Sequence, residues 1–274
     1  MLGIKVKDIV SDKRVPLASS KDTLAHIRNL LVRYKAPIVL ITDDKKVIGR
    51  ISIKDLALAI IRNIRQIRIL DSMYAEDIMS EIGEIPSIEA DVKDIIPLIL
   101  EKRDVIPVLN HKTGEYLFIE AEDILGIFPD VYDKEINVSK VCSKEVLTAT
   151  PSQSIIQLYK KMREKGYDSI IVTDIVKRPI GIITYRDIVN HPPTKIKKNK
   201  YVLKDEEGRI ISSEDKYPTA QEIMSGDLFF LFKNENLKKA SIEMSTRRIG
   251  HLPVVEEDLT LYGLLNKYDI ISLL

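Results

Sequence analysis

The sequence predicts an α/β protein, α+β in its detailed organisation, that contains four copies of one β-α-β-β-α unit. Four short segments look alike because each places two apolar residues before a serine: KDIVS (7–11), EDIMS (76–80), SKVCS (139–143) and QEIMS (221–225). Four later segments end in aspartate: GRISIKD (49–55), LFIEAED (117–123), GIITYRD (181–187) and GLLNKYD (263–269). The serine and aspartate of each pair lie 44, 43, 44 and 44 residues apart, a spacing that indicates an internal repeat.

The interior of each unit alternates strand-like and helix-like patterns. A short apolar stretch such as 146–151 comes first, and the segment 155–166 then predicts a helix with one apolar face made of Ile155, Leu158, Tyr159 and Met162. Gly166 suits the end of that helix. Apolar runs then predict strands at 36–43, 105–110, 168–174 and 251–256. A second strand, such as 178–185, and a short helix complete the unit, so helices should cover one face of the sheet.

Composition predicts an ordinary globular protein. The chain has 274 residues, which suggests about two domains at ~150 residues per domain. The 42 basic and 41 acidic side chains nearly cancel, so nothing in the net charge favours nucleic acid or an anionic membrane as partner. We expect no membrane span, no signal peptide and a cytoplasmic location, because every apolar run is shorter than ten residues. Abundant Lys, Glu and Ile lean towards a thermophile.

This pattern resembles that of the cystathionine-β-synthase (CBS) domain family. The resemblance lies in the D-I-M-S-like opening, the L-P-V-V-like strand and the closing G-h-h-[S/T]-x-x-D motif, in which h is apolar, and it covers nearly the whole chain. It implies two Bateman modules, 1–130 and 136–274, each a pair of repeats. It also implies a disc of two modules, either within one chain, as in the gamma subunit of AMP-activated protein kinase, or between the chains of a homodimer.

The repeat count sets the expected boundaries. The four repeats should occupy 1–70, 71–129, 130–191 and 220–274, with 128–137 as the linker between modules. The remaining segment, 192–219, should be a hairpin-like insertion, because its apolar and polar residues alternate on either side of 205–208.

The closing motif has two physical interpretations. Thr184 stands at the expected N-cap of a helix with Asp187 three residues later, so these residues and their counterparts could simply cap helices. The alternative is ligand binding, because the free N–H groups at a helix N-terminus suit a phosphate. An aspartate carboxylate can also accept two hydrogen bonds from a ribose diol. Lys54 and Arg186, each directly before the aspartate, can reach a phosphate charge.

The resemblance implies roles for particular residues. In the family the serine or threonine contacts phosphate and the aspartate contacts ribose, which points to Ser52 with Asp55 and to Thr184 with Asp187. The backbone next to the family's adenine pocket corresponds here to Thr148, Ala149 and Thr150. The fourth repeat offers Asn266 and Asp269. It also has Arg247 and Arg248 where the kinase gamma subunit presents basic residues to phosphate, although the pair could equally be a solvated helix end.

The second repeat departs most from the motif. Leu117 replaces the glycine and Glu120 replaces the hydroxyl residue, and a carboxylate at a phosphate position would repel a nucleotide. We therefore expect the site at Asp123 to be empty or to bind something uncharged.

Other candidate residues indicate no chemistry of their own. Cys142 aligns with Val10, Met79 and Met224, so we expect a packed core residue and no disulfide. The four histidines lack metal-ligand spacing, although His251 starts a strand beside Arg247 and could lie near a ligand. The basic run 195–200 could contact nucleic acid or an acidic partner, but nearby acidic residues favour a solvated loop. No enzyme motif is present, so we expect neither catalysis nor a catalytic cofactor.

These observations favour a regulatory, energy-sensing protein that binds AMP, ADP or ATP in clefts between paired repeats. Binding would change the conformation of the protein or its association with a partner. S-adenosylmethionine is the alternative ligand for the same fold. Two other functions stay open: a scaffold with vestigial sites, and a nucleic-acid binder that works through 192–219.

Overall fold

The computed structural model describes residues 3–10, 14–63, 69–192, 203–204, 210–212 and 217–274. Ser11, the basic run 195–200 and most of the insertion 192–219 lie outside the described residues. In the part of the chain that is described, no helix is both long enough and apolar enough to cross a membrane.

The first two repeats contain the elements that their patterns predict. Repeat 1 consists of α1 (Val6–Ile9), β1 (Leu17–Ser19), α2 (Leu24–Arg33), β2 (Ile38–Asp43), β3 (Lys46–Ser52) and α3 (Ile53–Arg62). Repeat 2 consists of α4 (Ile69–Ser72), a 3₁₀ turn (Ala75–Asp77), α5 (Val92–Lys102), β4 (Ile106–Asn110), β5 (Glu115–Ile119) and α6 (Ala121–Val131).

The second half of the chain repeats this order. Repeat 3 consists of a 3₁₀ turn (Val138–Lys140), β6 (Thr148–Ala149), α7 (Ile155–Lys165), β7 (Ser169–Thr173), β8 (Pro179–Thr184) and α8 (Tyr185–Asn190). The antiparallel strands β9 (Leu203–Lys204) and β10 (Ile210–Ser212) follow. The hairpin-like insertion over 192–219 stays a prediction. Repeat 4 consists of α9 (Ala220–Ile223), β11 (Leu231–Phe232), α10 (Leu237–Arg247), β12 (His251–Val255), β13 (Leu261–Asn266) and α11 (Lys267–Ile271).

Each repeat is built on a small sheet with the same topology. In repeats 1, 3 and 4 the first strand runs parallel to the second, and the second runs antiparallel to the third. Repeat 2 keeps the antiparallel pair β4–β5, and a single parallel bridge between Ser87 and Leu109 takes the place of the first strand. The predicted mixed fold is therefore confirmed. The buried residues of α7 are the four that the apolar face predicts, and Gly166 ends the helix at a positive φ of 69°.

The opening segment of each repeat packs against the other repeat of its module. The Val6 N–H donates to the carbonyl of Ala90 at 3.0 Å, and the Ala75 N–H donates to the carbonyl of Asp22 at 2.8 Å. Module two repeats the exchange, because the Ala220 N–H donates to the carbonyl of Gln153 at 2.9 Å. The two repeats of a module are thus interlocked by their first residues.

This exchange explains the glycine of the closing motif. Ser143 bridges to Leu264, so the opening segment of repeat 3 lies directly over Gly263 in β13. A Cβ at Gly263 would lie 2.7 Å from the carbonyl oxygen of Ser143. Gly49 and Gly181 are covered in the same way by the opening segments that contain Met79 and Met224. The motif glycine is needed because another backbone approaches it closely.

The two modules face each other within one chain. One large core joins repeats 1 and 3, with α3 packed against α8, and another joins repeats 2 and 4, with α6 packed against α10 and α11. A smaller cluster of Ile38, Leu40, Val105 and Phe118 joins the first two repeats. This is one of the two arrangements that four repeats predict.

The expected linker at 128–137 is too long. Helix α6 continues to Val131, and Phe128 is fully buried and stacks on Tyr132 with ring centroids 4.7 Å apart. Phe128 extends the buried face of Ile124 and Leu125 by one helical turn, so burial keeps the helix going past the expected boundary. Only 132–137 connects the modules without helix or strand.

Candidate functional site

A cavity of about 570 Å³ lies where the four repeats meet. Each repeat contributes residues from the first turn of its closing helix. These residues are Ile53 and Lys54 of α3, Ala121 and Glu122 of α6, Tyr185 and Arg186 of α8, and Lys267 and Tyr268 of α11. The closing motif therefore brings the N-termini of four helices to one place.

The aspartate of each closing motif first acts as a helix cap. In repeat 1 the Ser52 N–H donates to Asp55 Oδ2 at 2.9 Å, and the Asp55 N–H donates to Ser52 Oγ at 3.2 Å. Capping boxes of the same kind begin α6, α8 and α11. The capping interpretation is thus confirmed for all four repeats, and the predicted contact with ribose stays a prediction.

The four aspartates differ in what binds the carboxylate oxygen that helix capping does not use. In each motif Oδ2 accepts the N–H of the N-cap residue, so Oδ1 is the atom that remains for other partners. Asp187 Oδ1 accepts the hydroxyl of Ser225 at 3.0 Å, and Asp123 Oδ1 is bound by the guanidinium of Arg248. Within the described residues, Oδ1 of Asp55 and of Asp269 accepts no hydrogen bond. Acceptors for a ligand are therefore open in repeats 1 and 4 and closed in repeat 2.

The predicted site residues of repeat 3 are only partly brought together. Thr184, Arg186 and Asp187 line the cavity. The predicted adenine segment does not, because Ala149 is buried in the core and its neighbours Thr148 and Thr150 are exposed. Four further predicted residues lie outside the cavity wall, although each is next in sequence to a first-turn residue that lines it: Ser52, Asp55, Asn266 and Asp269.

Two basic residues of the cavity were not predicted from the sequence. Lys35 and Arg103 line it, and both occupy the position just past a helix where the backbone turns left-handed, with φ of 49° and 46°. Arg248 holds the same position in repeat 4, with φ of 55°. Only glycine adopts this conformation without strain. An alignment of the helix ends before the strands β2, β4 and β12 would have found the three residues, because each is basic.

The predicted arginine pair of repeat 4 divides between two environments. Arg248 enters the cavity, where its guanidinium donates to Asp123 and Glu120 of repeat 2. Arg247 stays on the outer surface of α10, where it pairs with Glu243 at 2.8 Å and its guanidinium carbon lies 4.3 Å from the ring centroid of Phe229. Only one of the two therefore reaches the candidate site.

Three cations of the cavity that belong to repeats 1 and 3 have no side-chain partner among the described residues. The side chains of Lys35, Lys54 and Arg186 form neither an ion pair nor a hydrogen bond within those ranges. Lys267, by contrast, pairs with Glu122 at 2.9 Å. Three of the four cavity cations without an ion pair among the described residues therefore belong to repeats 1 and 3; the fourth, Arg103 of repeat 2, lies over the ring of Tyr268 with its guanidinium carbon 5.1 Å from the centroid.

His251 brings a polar atom without a partner to the cavity wall. Its Nε2 is buried and has no hydrogen-bond partner among the described residues. Burial lowers the pKa of His251 to about 4, even though Asp168 opposes the shift. The imidazole is therefore neutral at pH 7 and can give or take one hydrogen bond.

The other predicted features lie outside the cavity. Cys142 is buried in the core that joins repeats 2 and 4, and burial raises the pKa of its thiol. Among the residues that the structure describes, no group of three potential metal ligands lies close enough together to hold a metal ion.

A family comparison agrees with this architecture. The model for the CBS domain matches residues 6–62, 138–193 and 220–274, which together make up more than half of the chain. These ranges correspond to repeats 1, 3 and 4. The unmatched repeat 2 is the one in which Leu117 and Glu120 depart from the closing motif.

Several archaeal proteins are similar to this chain. A Methanocaldococcus jannaschii protein, described as a candidate archaeal homolog of g-AMPK, superposes with a TM-score of 0.77 and 20% identity, covering 98% of this chain and 99% of that one. A conserved protein from Pyrococcus horikoshii superposes with a TM-score of 0.58 and 14% identity over 98% and 99% of the two chains. In sequence, the M. jannaschii protein is 25% identical over 67% of this chain, and a Methanopyrus kandleri protein is 26% identical over 51% of it. These two alignments span 63% of each relative's length.

Proposed function

The chain belongs to the CBS domain family, and from this membership we propose that it is a regulatory protein that binds an adenosine-containing ligand. The proposed ligands are AMP, ADP and ATP, held between paired repeats. The ribose would lie at Asp55, whose Oδ1 is open, or at Asp187, whose Oδ1 would accept it beside the Ser225 hydroxyl. The phosphates would point into the central cavity.

One observation carries the proposal. Lys35, Lys54 and Arg186 bring three positive charges to one side of the cavity, and no acidic side chain among the described residues pairs with them. These three cations form no ion pair in a partly enclosed space, which favours an anionic ligand even though Asp168 and Asp227 line the same cavity. Lys54 also belongs to the first turn of α3, a ten-residue helix whose N-terminus adds a positive dipole end. These charges favour a nucleotide over S-adenosylmethionine, whose sulfonium is itself positive.

Such a ligand would couple the two modules. Lys54 belongs to repeat 1 and Arg186 to repeat 3, so a phosphate between them would bridge the α3–α8 contact. A ligand that binds one arrangement of the modules more tightly shifts the population towards it. The chain would thereby convert nucleotide concentration into a change of shape or of association with a partner.

Calorimetry with paired variants tests the proposal. Lys54→Met and Arg186→Met keep most of the side-chain volume and remove the charge. Each substitution should weaken the binding of AMP, ADP or ATP by about 10-fold or more, because a hydrogen bond to a charged group contributes roughly 1.5–3 kcal/mol. Adenosine, which has no phosphate, serves as the matched control ligand, and the two variants should bind it nearly as tightly as the wild type does. Equal losses for adenosine and the nucleotides would contradict the assignment of these cations to phosphate.

The aspartates need a separate test. Asp187→Asn preserves an acceptor for the helix cap but removes the charge, whereas Asp187→Ala removes both. We expect Asp187→Ala to weaken the binding of adenosine and of nucleotides alike at the site of repeat 3. Asp55→Ala should do the same at the site of repeat 1. Asp77→Ala is the matched control, since Asp77 caps a 3₁₀ turn on the exposed surface. Loss of nucleotide binding in the Asp77 variant would point to general destabilisation instead.

A scaffold function is favoured by a different observation. The turn between β7 and β8 and the turn between β12 and β13 lie together, because the Leu261 N–H donates to the carbonyl of Lys177 at 3.0 Å. Ile175 on the first turn is fully exposed, and Val176 and Leu259 are also exposed. A scaffold that uses the apolar surface of these two turns would bind no nucleotide. The Ile175→Asp substitution would abolish the binding of its partner protein.

A further inference from the structure

Five charged side chains join repeat 2 to repeat 4 and therefore one module to the other. Repeat 2 supplies Glu120, Glu122 and Asp123 from the start of α6, and repeat 4 supplies Arg248 and Lys267. Arg248 donates to both Glu120 and Asp123, and Lys267 donates to both carboxylate oxygens of Glu122 at 2.9 and 3.1 Å. The side chain of Asp123 is 4% exposed and that of Glu122 is 6% exposed, so these carboxylates are screened from water, whereas Arg248 reaches them from a position where it is 31% exposed.

Arg248 occupies the place that the closing motif leaves open in repeats 1 and 4. Asp123 Oδ2 accepts the Glu120 N–H at 2.8 Å, and the guanidinium takes Oδ1, the oxygen that stays open in Asp55. The second bond of the guanidinium goes to Glu120, which stands where the other repeats have Ser52, Thr184 or Asn266. The two carboxylates, which would repel a nucleotide, thus form a site that fits a planar cation.

The opposite side of the molecule has no counterpart to these ion pairs. Among the described residues, repeats 1 and 3 are joined by apolar packing of α3 against α8 and by Arg28, which donates to the carbonyls of Val189 and Asn190 at 2.6 and 2.8 Å. No ion pair in the described ranges links these two repeats, and their cavity cations stay unpaired. The two contacts between the modules therefore differ in kind.

We propose that Arg248 acts as a built-in ligand of repeat 2, so that the repeat 2–repeat 4 contact is a permanent joint between the modules. Any movement of one module against the other is then confined to the repeat 1–repeat 3 side. The ion pairs add to the apolar packing of α6 against α10 and α11, and this joint does not depend on nucleotide binding. Its consequence for regulation rests on the proposed function, since it makes the 1–3 side the part that a nucleotide would open or close.

The two cations compensate buried carboxylates. Burial raises the pKa of both Glu120 and Asp123, with Arg248 acting against the shift. Burial also acts on Glu122, but the charge and hydrogen bond of Lys267, with smaller contributions from the backbone and Arg248, together hold the pKa of Glu122 below its ordinary value. Loss of either cation would leave a buried carboxylate without compensation, which is a severe form of damage to an ion-pair cluster.

Chemical rescue tests the joint. Arg248→Ala should lower Tm by roughly 6 °C or more, since breaking a buried pair is far more damaging than losing an exposed one. Ethylguanidinium at about 20 mM, well below denaturing concentration, should restore part of that loss by refilling the site, whereas equimolar tetramethylammonium should not. Arg247→Ala is the matched control, because its guanidinium pairs with Glu243 on the surface; it should change Tm little and show no rescue.

The outcomes separate the joint from the proposed function. An Arg248→Ala protein as stable as the Arg247→Ala protein, or one that ethylguanidinium does not restore, overturns the joint. If Arg248→Ala does not fold alone, Arg248→Lys decides: it keeps the charge but loses the two-pronged contact, so its Tm must fall, and a wild-type Tm overturns the proposal. Nucleotide-induced shifts in Tm are read separately in each folded variant, and their absence in the wild type counts only against nucleotide binding.

Discussion

Replacing Gly263 by alanine should weaken the interlock between the repeats of module two. The added Cβ would lie 2.7 Å from the Ser143 carbonyl oxygen and 3.0 Å from the Cys142 sulfur, up to about 0.7 Å short of ordinary contact near 3.4 Å. The Ser143 backbone cannot simply move away, because it exchanges hydrogen bonds of 2.9 and 2.8 Å with Leu264. Either the bridge or the core around Cys142 must therefore shift.

The size of the effect follows from two opposing terms. Overpacking a well-filled site costs about 1–3 kcal/mol, and a Gly→Ala change recovers about 0.4–1 kcal/mol by restricting the unfolded chain. The free energy of unfolding should fall by about 1–2 kcal/mol, which corresponds to a Tm lower by roughly 2–8 °C in a chain of this size.

Thermal and urea unfolding followed by circular dichroism measures this change. Gly83→Ala is the matched control, because a Cβ there has no neighbour within 4 Å and the backbone is not left-handed. That variant should be as stable as the wild type or slightly more stable. A Gly263→Ala protein that equals or exceeds the Gly83→Ala protein in Tm would refute the close approach as the reason for the motif glycine.

Two further predictions concern buried polar groups. Tyr159→Phe should raise the free energy of unfolding by about 1 kcal/mol, because the hydroxyl is buried without a partner among the described residues; an equal loss would show that the hydroxyl is in fact bound. His251→Gln should flatten the pH dependence of stability. Burial lowers the pKa of His251 to about 4, so the unfolded chain binds this proton more tightly, and up to about 3 kcal/mol is lost as pH falls from 6.5 to 4. Urea unfolding at pH 7, 5 and 4 measures the free energy of unfolding of both proteins, and the value for the wild type should fall with pH more steeply than the value for His251→Gln. Equal pH dependence in the two proteins would contradict this.

The repeat architecture could be predicted from the sequence because it depends on local spacing. The closing motif carries its own capping geometry, so Ser52 and Asp55 already specify where α3 begins. The buried face of α7 follows from helical periodicity in the same direct way. The predicted start of the linker at residue 128 is wrong, because the burial of Phe128 depends on packing against the facing repeat, which the local pattern does not reveal.

The pairing of charges in the cavity could not be predicted in this way. Arg248 is separated from Glu120 by 128 positions, and the two meet only because repeats 2 and 4 face each other across the modules. Glu120 was recognised as an obstacle to nucleotide, but its partner was not. Lys35 and Arg103 were missed for a related reason, since their side chains converge only when helices from different repeats are assembled.

A crystal structure of the protein grown with ADP would show directly whether the clefts between repeats bind a nucleotide. We expect an adenosine at Asp187 or Asp55, with its phosphates directed towards Lys54 and Arg186, and Arg248 still bound to Glu120 and Asp123. Empty clefts at millimolar ADP, or a nucleotide bound at Asp123 in place of Arg248, would contradict this expectation.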